Sequence, residues 1–198
     1  EIIVVDSYSK DKTVKTARRY GAKVLYEGRK GPAIARNTGS RKAKGEVFVF
    51  PDADVIFDKD FLNKLDVEFQ KNIAGGVFNL FPYDGNGFVK LNALLINKFV
   101  NFMIAIGIPV TNGSCFVYRK KYFRKVHGFN PKFLTNEDHD LAARISKVGR
   151  VVFLRKIRVN FSSRRLKKWG LLKAIRMYGQ STYLFFFKRT YVKSGYWE

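Results

Sequence analysis

The chain has 198 residues, enough for one α/β domain with a sizeable core, and its 46% hydrophobic content excludes a disordered chain. A single cysteine, Cys115, excludes a disulfide or a cysteine-based zinc site within these residues. The 38 Lys and Arg against 16 Asp and Glu give a formal charge of +22, which implies anionic partners: nucleotide diphosphates, an anionic membrane surface or nucleic acid.

Glu1 leads directly into Ile2-Ile3-Val4-Val5, an apolar β-branched run that predicts a buried strand closed by Asp6 and Ser7. A strand so apolar needs neighbours on both sides, so a further strand and helix are expected upstream of Glu1. Ser9 or Asp11 can cap the helix that follows, with Val14 and Ala17 as its inner stripe and Gly21 as its stop. Lys23 to Tyr26 reads as a short strand. Gly28-Arg29-Lys30-Gly31 is a basic loop, and Pro32 suits the first turn of a helix that carries Ala33 to Asn37 and ends near Gly45. Val47 to Phe50 is wholly apolar and suits a strand buried on both faces, with Pro51 ending its ladder. The alternation of strand and helix predicts an α/β sheet with right-handed crossovers.

Asp52-Ala53-Asp54 comes next. In an extended segment residues two apart point the same way, so the two carboxylates can converge on one cation. Hard oxygen ligands suit Mg²⁺ or Mn²⁺, which usually take one or two carboxylates together with substrate phosphates. A solvated turn is the alternative, since turns favour Asp. The pair's place at the carboxyl end of a buried strand, where open α/β sheets hold ligands, favours the cation.

Phe61, Leu65 and Phe69 recur every fourth residue and predict an amphipathic helix over residues 61–70. Gly75 to Phe81 reads as a strand. No run reaches about 18 uninterrupted apolar residues. Leu91 to Val110 is interrupted by Asn92, Asn97, Lys98 and Asn101, so an amphipathic helix is expected there rather than a membrane span. Thr111-Asn112-Gly113-Ser114 is a turn, Cys115 to Tyr118 a strand and Tyr122 to Val126 a short helix. Thr135 or Asn136 can cap a helix that opens with Glu137 and Asp138, acids that suit its dipole. Val151 to Leu154 is a strand, and beyond Asn160 the composition turns basic and aromatic.

Carboxylates thus stand at three places where a parallel sheet keeps its ligands: Asp6, Asp52 with Asp54, and Glu137 with Asp138. The chain resembles the family 2 nucleotide-sugar glycosyltransferases with the GT-A fold. The resemblance rests on Glu1 to Ser7, on Ala35-Arg36-Asn37-Thr38-Gly39, on Phe50 to Asp54, on Gly128-Phe129, and on Glu137-Asp138-His139-Asp140-Leu141 with Arg144. It covers roughly residues 1–165.

The resemblance implies an α/β fold of Rossmann-like GT-A type, a three-layer sandwich around a mostly parallel mixed sheet that lacks its first strand in this numbering. It implies a catalytic domain over residues 1–160. Residues 161–198 are then a basic, aromatic, amphipathic segment suited to a membrane surface. By position, Asp6 and Ser7 would contact the nucleoside, Lys30 and Arg36 would line the nucleotide pocket, and Asp52, Ala53 and Asp54 would hold Mg²⁺ or Mn²⁺ and the diphosphate. Asn112 and Gly113 would shape the sugar and acceptor pocket, Asp138 would be the base, and Glu137 would contact hydroxyls. Arg164 and Arg165 would clamp the diphosphate, since guanidinium forks suit phosphate oxygens. Many relatives carry a histidine as a further metal ligand after the last core strand, where this chain has Asn160-Phe161-Ser162-Ser163.

The implied activity is metal-dependent, inverting transfer of a sugar from a UDP- or GDP-linked donor to a hydroxyl of a lipid-linked or cell-surface glycan, at the cytoplasmic membrane face. Transfer to a polyprenyl phosphate is the alternative, because a phosphate acceptor needs no base; Glu137-Asp138 favours a hydroxyl. A nucleic-acid-binding protein and a catalytically inactive scaffold are alternatives of another class. The first lacks any helix-turn-helix, zinc or RNA-recognition signature, so no nucleic-acid partner is expected. The second is disfavoured by the intact acidic set.

Overall fold

The computed structural model describes residues 1–133 and 135–164. Arg165 and nearly all of the expected C-terminal segment lie outside the described residues. The first unit is β1 (Ile3–Asp6), α1 (Thr13–Arg19) and β2 (Lys23–Tyr26), with β1 and β2 parallel in a two-stranded sheet. Asp11 Oδ1 accepts the amide of Thr13 at 2.9 Å, so the expected acid tethers the start of α1, although no α1 residue is buried. Next comes α2 (Pro32–Lys42), with Pro32 in its first turn as expected. The remaining elements are β3 (Val47–Pro51), β4 (Val55–Phe57), α3 (Phe61–Glu68), β5 (Ile73–Pro82), α4 (Gly87–Ala105), β6 (Cys115–Arg119), α5 (Lys120–Lys125), α6 (Glu137–Ser146) and β7 (Arg150–Phe161).

The five later strands form a second sheet in the order β3-β6-β5-β7-β4. Only its β5–β7 ladder is parallel; β3–β6, β5–β6 and β4–β7 are antiparallel. The larger sheet is therefore mixed, and with the parallel β1–β2 pair it gives the expected α/β fold of parallel and mixed sheets. Strand direction depends on how loops return the chain, which side-chain periodicity does not encode. β1 and β3 do not pair with each other. β3 pairs only with β6 among the described residues, and of its side chains only Phe48 is fully buried, which corrects the expectation of burial on both faces. Pro51 ends the ladder as expected: it is the last residue of β3, opposite Cys115, and the following amide, that of Asp52, donates to Ser114 O at 2.8 Å. The strand buried along most of its length is β5, in the middle of the sheet.

Three layers result. On one face α3 sets Phe61, Leu65 and Phe69 against Phe78, Leu80, Cys115, Val117 and Val159. On the other, Ala33 of α2, Phe123 of α5, and Leu141 and Ile145 of α6 pack with Phe48, Phe116, Tyr118 and Phe129. The alternation along β6, Cys115 and Val117 to one side and Phe116 and Tyr118 to the other, is that of a strand between two layers. α2 also joins the two sheets, because Gly39 lies against Val5 and Ile3 while Ala33 sits in the aromatic layer.

β7 runs for 12 residues, extending the expected strand at Val151 to Leu154 through Arg155, Lys156 and Arg158, and the three-residue β4 was not expected. α4 begins at Gly87, four residues before the expected start, where the Asn86 side chain accepts the amide of Val89. It is the one helix among the described residues long and apolar enough, by length and composition, to cross a membrane. α6 follows Asn136 in left-handed conformation with no side-chain cap bond, so neither expected cap acts.

Gly75 faces Tyr118 across the β5–β6 ladder, and a Cβ at Gly75 would meet the Tyr118 ring at 2.5 Å. The ring is fully buried and has no room to retreat. Gly75→Ala is expected to lower stability by about 1–3 kcal/mol, the usual cost of overpacking a filled core. Urea denaturation measures it, and an unchanged midpoint would contradict the close β5–β6 approach.

Candidate active site

Arg36 sits in the second turn of α2, on the side facing the larger sheet. Its guanidinium stacks over the rings of Phe116 and Phe129, 5.1 and 5.6 Å from their centroids. Nη2 donates to Asp52 Oδ1 at 2.9 Å and Nη1 to Glu137 Oε1 at 2.5 Å. One buried cation thus joins the loop after β3 to the first residue of α6. The side chain expected to line a nucleotide pocket is engaged by two carboxylates. Neighbouring bonds fix the frame: Asn37 Nδ2 donates to Phe129 O and its Oδ1 accepts the Phe129 amide.

Asp138, the next residue of α6, is buried. Its Oδ2 accepts a short hydrogen bond from the Thr111 hydroxyl, and the Thr111 amide donates to His139 Nδ1 at 3.1 Å. Gly113, at φ +84°, stands with its α-carbon against the same carboxylate, so that a Cβ there would lie 4.0 Å from Asp138 Oδ2. The turn before β6 and the start of α6 therefore meet at Asp138. Asn112 turns inward: Nδ2 donates to Phe78 O at 2.6 Å, and Oδ1 is buried without a partner among the described residues. Thr111 escaped the sequence reading, which placed it in a turn without a partner.

Residues 52–54 are not extended. Ala53 and Asp54 form a turn closed by the Val55 amide on Asp52 O at 3.3 Å, so the same-side argument for an extended strand does not apply. Both acids are nevertheless half-buried, and the Asp54 carboxylate has no hydrogen bond or ion pair among the described residues. Ser162 donates its amide to Asp54 O at 3.2 Å, which brings the end of β7 beside the Asp turn. Asp84, absent from the expected set, clasps that end: its carboxylate accepts Ser162 Oγ at 3.0 Å and the Ser163 amide at 2.6 Å. Arg164, whose amide bonds Ser162 Oγ, follows directly.

The donor set suits a hard divalent ion held by Asp54 and Asp52, with phosphate oxygens completing its shell. Among the described residues no three His, Cys, Asp or Glu side chains gather closely enough to hold a metal alone.

Asp6 and Ser7 end the smaller sheet. Asp6 is buried, and its Oδ2 accepts the Ser9 amide at 2.9 Å. α2 links Asp6 and Ser7 to the acids around Arg36, through Gly39 against β1 at one end and Arg36 at the other. Lys30 is exposed in the loop leading into that helix. A groove of about 530 Å³ lies elsewhere, between the C-terminal end of α4 and residues 149–153, and no carboxylate lines it.

The family model for Glycosyl transferase family 2 matches residues 1–127. Among curated proteins none matches. Solved structures do. A mannosyltransferase, PcManGT from Pyrobaculum calidifontis in complex with GDP-Man and Mn²⁺, aligns with a TM-score of 0.66 at 20% identity, over 92% of this chain and 55% of its own. S. aureus TarS (1–349) aligns with 0.63 at 19% identity, over 82% and 51%. Glucosyl-3-phosphoglycerate synthase from Mycobacterium tuberculosis, with Mn²⁺, UDP-Glc and phosphoglyceric acid, aligns with 0.57 at 19%, over 92% and 66%. The chain spans about half the length of the first two. At these identities the likeness shows the fold, and that fold is the expected GT-A arrangement.

The two acids that open α6 are electrostatically unlike. Burial, then the charge of Asp138, pushes the Glu137 carboxyl up to about 7, and Arg36 pulls the other way without cancelling them. Burial also pushes Asp138 up, but the His139 charge, the Thr111 hydrogen bond and the Arg36 charge outweigh it and hold Asp138 below the usual carboxylate range. A carboxyl whose folded pKa exceeds its unfolded value favours the folded state while protonated. The Glu137 contribution is therefore complete below its ordinary value of 4.5 and is lost as pH rises through about 7. Glu137→Gln removes this term. The difference in stability between wild type and Glu137→Gln, followed by denaturant titration, is expected to change across that window and to be flat outside it. A difference independent of pH would contradict the raised pKa.

Proposed function

The chain belongs to glycosyl transferase family 2, and from that premise we propose that it transfers a sugar from a UDP- or GDP-linked donor to an acceptor hydroxyl, with inversion and with Mg²⁺ or Mn²⁺. The observation that carries the reading is the convergence, around Arg36, of a partly open Asp turn and a buried, ionised Asp138. One set of groups suits a diphosphate; the other suits a proton.

Asp138 takes the proton of the acceptor hydroxyl as its oxygen attacks the anomeric carbon. The bond from that carbon to the diphosphate breaks, and the nucleoside diphosphate leaves with the electron pair. A single displacement inverts the configuration. The Thr111 hydroxyl holds Asp138 in place and is itself fixed by the His139 ring, and Gly113 lies beside the same carboxylate. Glu137, tied to Arg36, faces the acceptor hydroxyls. A divalent ion, when bound by Asp52 and Asp54, neutralises charge that builds on the leaving diphosphate. Arg164 lies beside this turn and adds a cation for the same oxygens, and Lys30 stands at the mouth of α2. Asp6 and Ser7 take the nucleoside.

Donor choice between UDP and GDP follows the ligands of the solved relatives, which carry GDP-Man in one case and UDP-Glc in another. The acceptor is a glycan or lipid-linked glycan, and the charge of +22 seats the protein peripherally on the anionic cytoplasmic face of a membrane. The basic C-terminal residues, Arg165 among them, contribute to that charge.

Asp138→Asn is expected to slow turnover by about 10²–10⁴-fold, the usual worth of a general base, while donor affinity measured by calorimetry stays within a few-fold. Near-normal turnover would overturn the hydroxyl reading in favour of a phosphate acceptor, which is already ionised and needs no base.

A further inference from the structure

α4 has two apolar faces, and only one of them is used by the fold. Ala93, Asn97 and Val100 face inward. Val100 packs with Val77 and Val110, and the Asn97 amide bridges both main-chain groups of Leu80, donating to its carbonyl at 2.7 Å and accepting its amide at 3.1 Å. The opposite face carries Phe88, Leu91, Leu95, Phe99, Phe102 and Ile106, at intervals of three and four residues that keep them on one stripe. All six are at least half exposed, with Phe99 at 57% and Phe102 at 58%. Leu94 and Ile96, also exposed, widen the stripe to an arc of roughly 200° at 100° per residue. A surface this large and apolar marks a place of contact.

The charge along this stretch of the chain is of one sign. No Asp or Glu occurs between Gly85 and Asn136. Lys90 and Lys98 project from α4 itself. Arg158 stacks 3.5 Å over the ring of Phe81 beside Lys90, and Arg155 reaches Asn101 at 3.1 Å. Lys98 stands inside the apolar arc, and Lys90, Arg155 and Arg158 line one edge of it, as lysine and arginine do where an apolar body meets charged headgroups.

We propose that α4 is the membrane seat of this protein: it lies flat in the interface of an anionic bilayer, with Phe88, Leu91, Leu95, Phe99, Phe102 and Ile106 among the acyl chains and the flanking bases on the headgroups. Its inward bonds to β5 keep it parallel to the surface, since crossing the bilayer would strip Asn97 from Leu80. A wide apolar arc interrupted only by Asn92 and by Lys98, whose long stem lets its charge reach headgroups, suits a deformable apolar medium. Two other occupants meet like charge. A second copy brings a further +22, and residues 165–198 contain Arg165, Lys167, Lys168, Lys173, Arg176, Lys188, Arg189 and Lys193 against Glu198 alone. The seat also adjoins the site, because the chain passes from Ile106 through Gly107 to Val110 and then to Thr111, which holds Asp138. The proposal rests on the membrane seating put forward above, and its test reads lipid contact rather than sugar transfer, so the two readings fail separately.

The test uses the full chain with a single environment-sensitive fluorophore. Cys115 is buried, so an introduced cysteine is labelled in preference. Phe99→Cys places the label on the outward stripe; Leu62→Cys, on exposed α3 across the sheet, is the control. Vesicles of phosphatidylcholine with phosphatidylserine are expected to shift the label at 99 to the blue and to leave the label at 62 unchanged, and vesicles of phosphatidylcholine alone are expected to act at least tenfold more weakly. Leu95→Ser with Phe99→Ser and Phe102→Ser is expected to lower vesicle affinity at least tenfold without lowering the melting temperature. No binding to anionic vesicles, or binding with a silent label at 99, overturns the proposal. So does a blue-shifted label at 99 without lipid, which would mean that a second copy or another segment of the chain covers α4.

Discussion

A buried guanidinium shared by two carboxylates is the constraint on which the rest depends. Arg36 is brought out of water against two phenylalanine rings, a move that is costly unless the charge is fully met. Asp52 and Glu137, from segments far apart in the chain, meet it. Burial works to lower the Arg36 pKa, and the charges of Glu137, Asp52 and Asp138 outweigh it and hold the pKa above the ordinary value. The pairing fixes three elements at once: α2 against the sheet, the loop after β3, and the first turn of α6. The same helix holds the smaller sheet through Gly39, so a disturbance at Arg36 reaches both sheets.

The position of Asp138 follows from this frame rather than from its own sequence neighbours. Glu137 absorbs the electrostatic strain of two adjacent buried acids by moving up in pKa, while Asp138 moves down. Two carboxyls side by side are thereby given different protonation tendencies, the pattern by which a site assigns distinct roles to similar groups. Thr111 and His139 add the local bonds that hold the ionised form.

Much of this was legible in the sequence where the signal is local. Pro32 opening α2, the spacing of Phe61, Leu65 and Phe69, and the apolar run of β3 each predicted the right element. The acids at Asp6, Asp52, Asp54, Glu137 and Asp138 were legible as candidates because they end strands or open a helix. What was not legible is long-range. The engagement of Arg36 by Glu137 spans 101 residues, and no periodicity reports such a pair. The turn at Asp54 hides behind a strand-like run, Thr111 finds Asp138 only after folding, and Asp84 reads as a loop acid until the end of β7 returns to it. The outward stripe of α4 was visible as apolar residues, but which face the fold would leave uncovered was not.

The central claim, that Arg36 with Glu137 and Asp52 assembles the site, is tested most directly by a double-mutant cycle in unfolding free energy over Arg36→Met, Glu137→Gln and the pair. Arg36→Met alone is expected to cost about 3–5 kcal/mol, as loss of one partner of a buried ion pair does. The two losses are expected to couple by at least about 1 kcal/mol, with the double variant more stable than their sum. Additivity within about 0.5 kcal/mol would contradict the account.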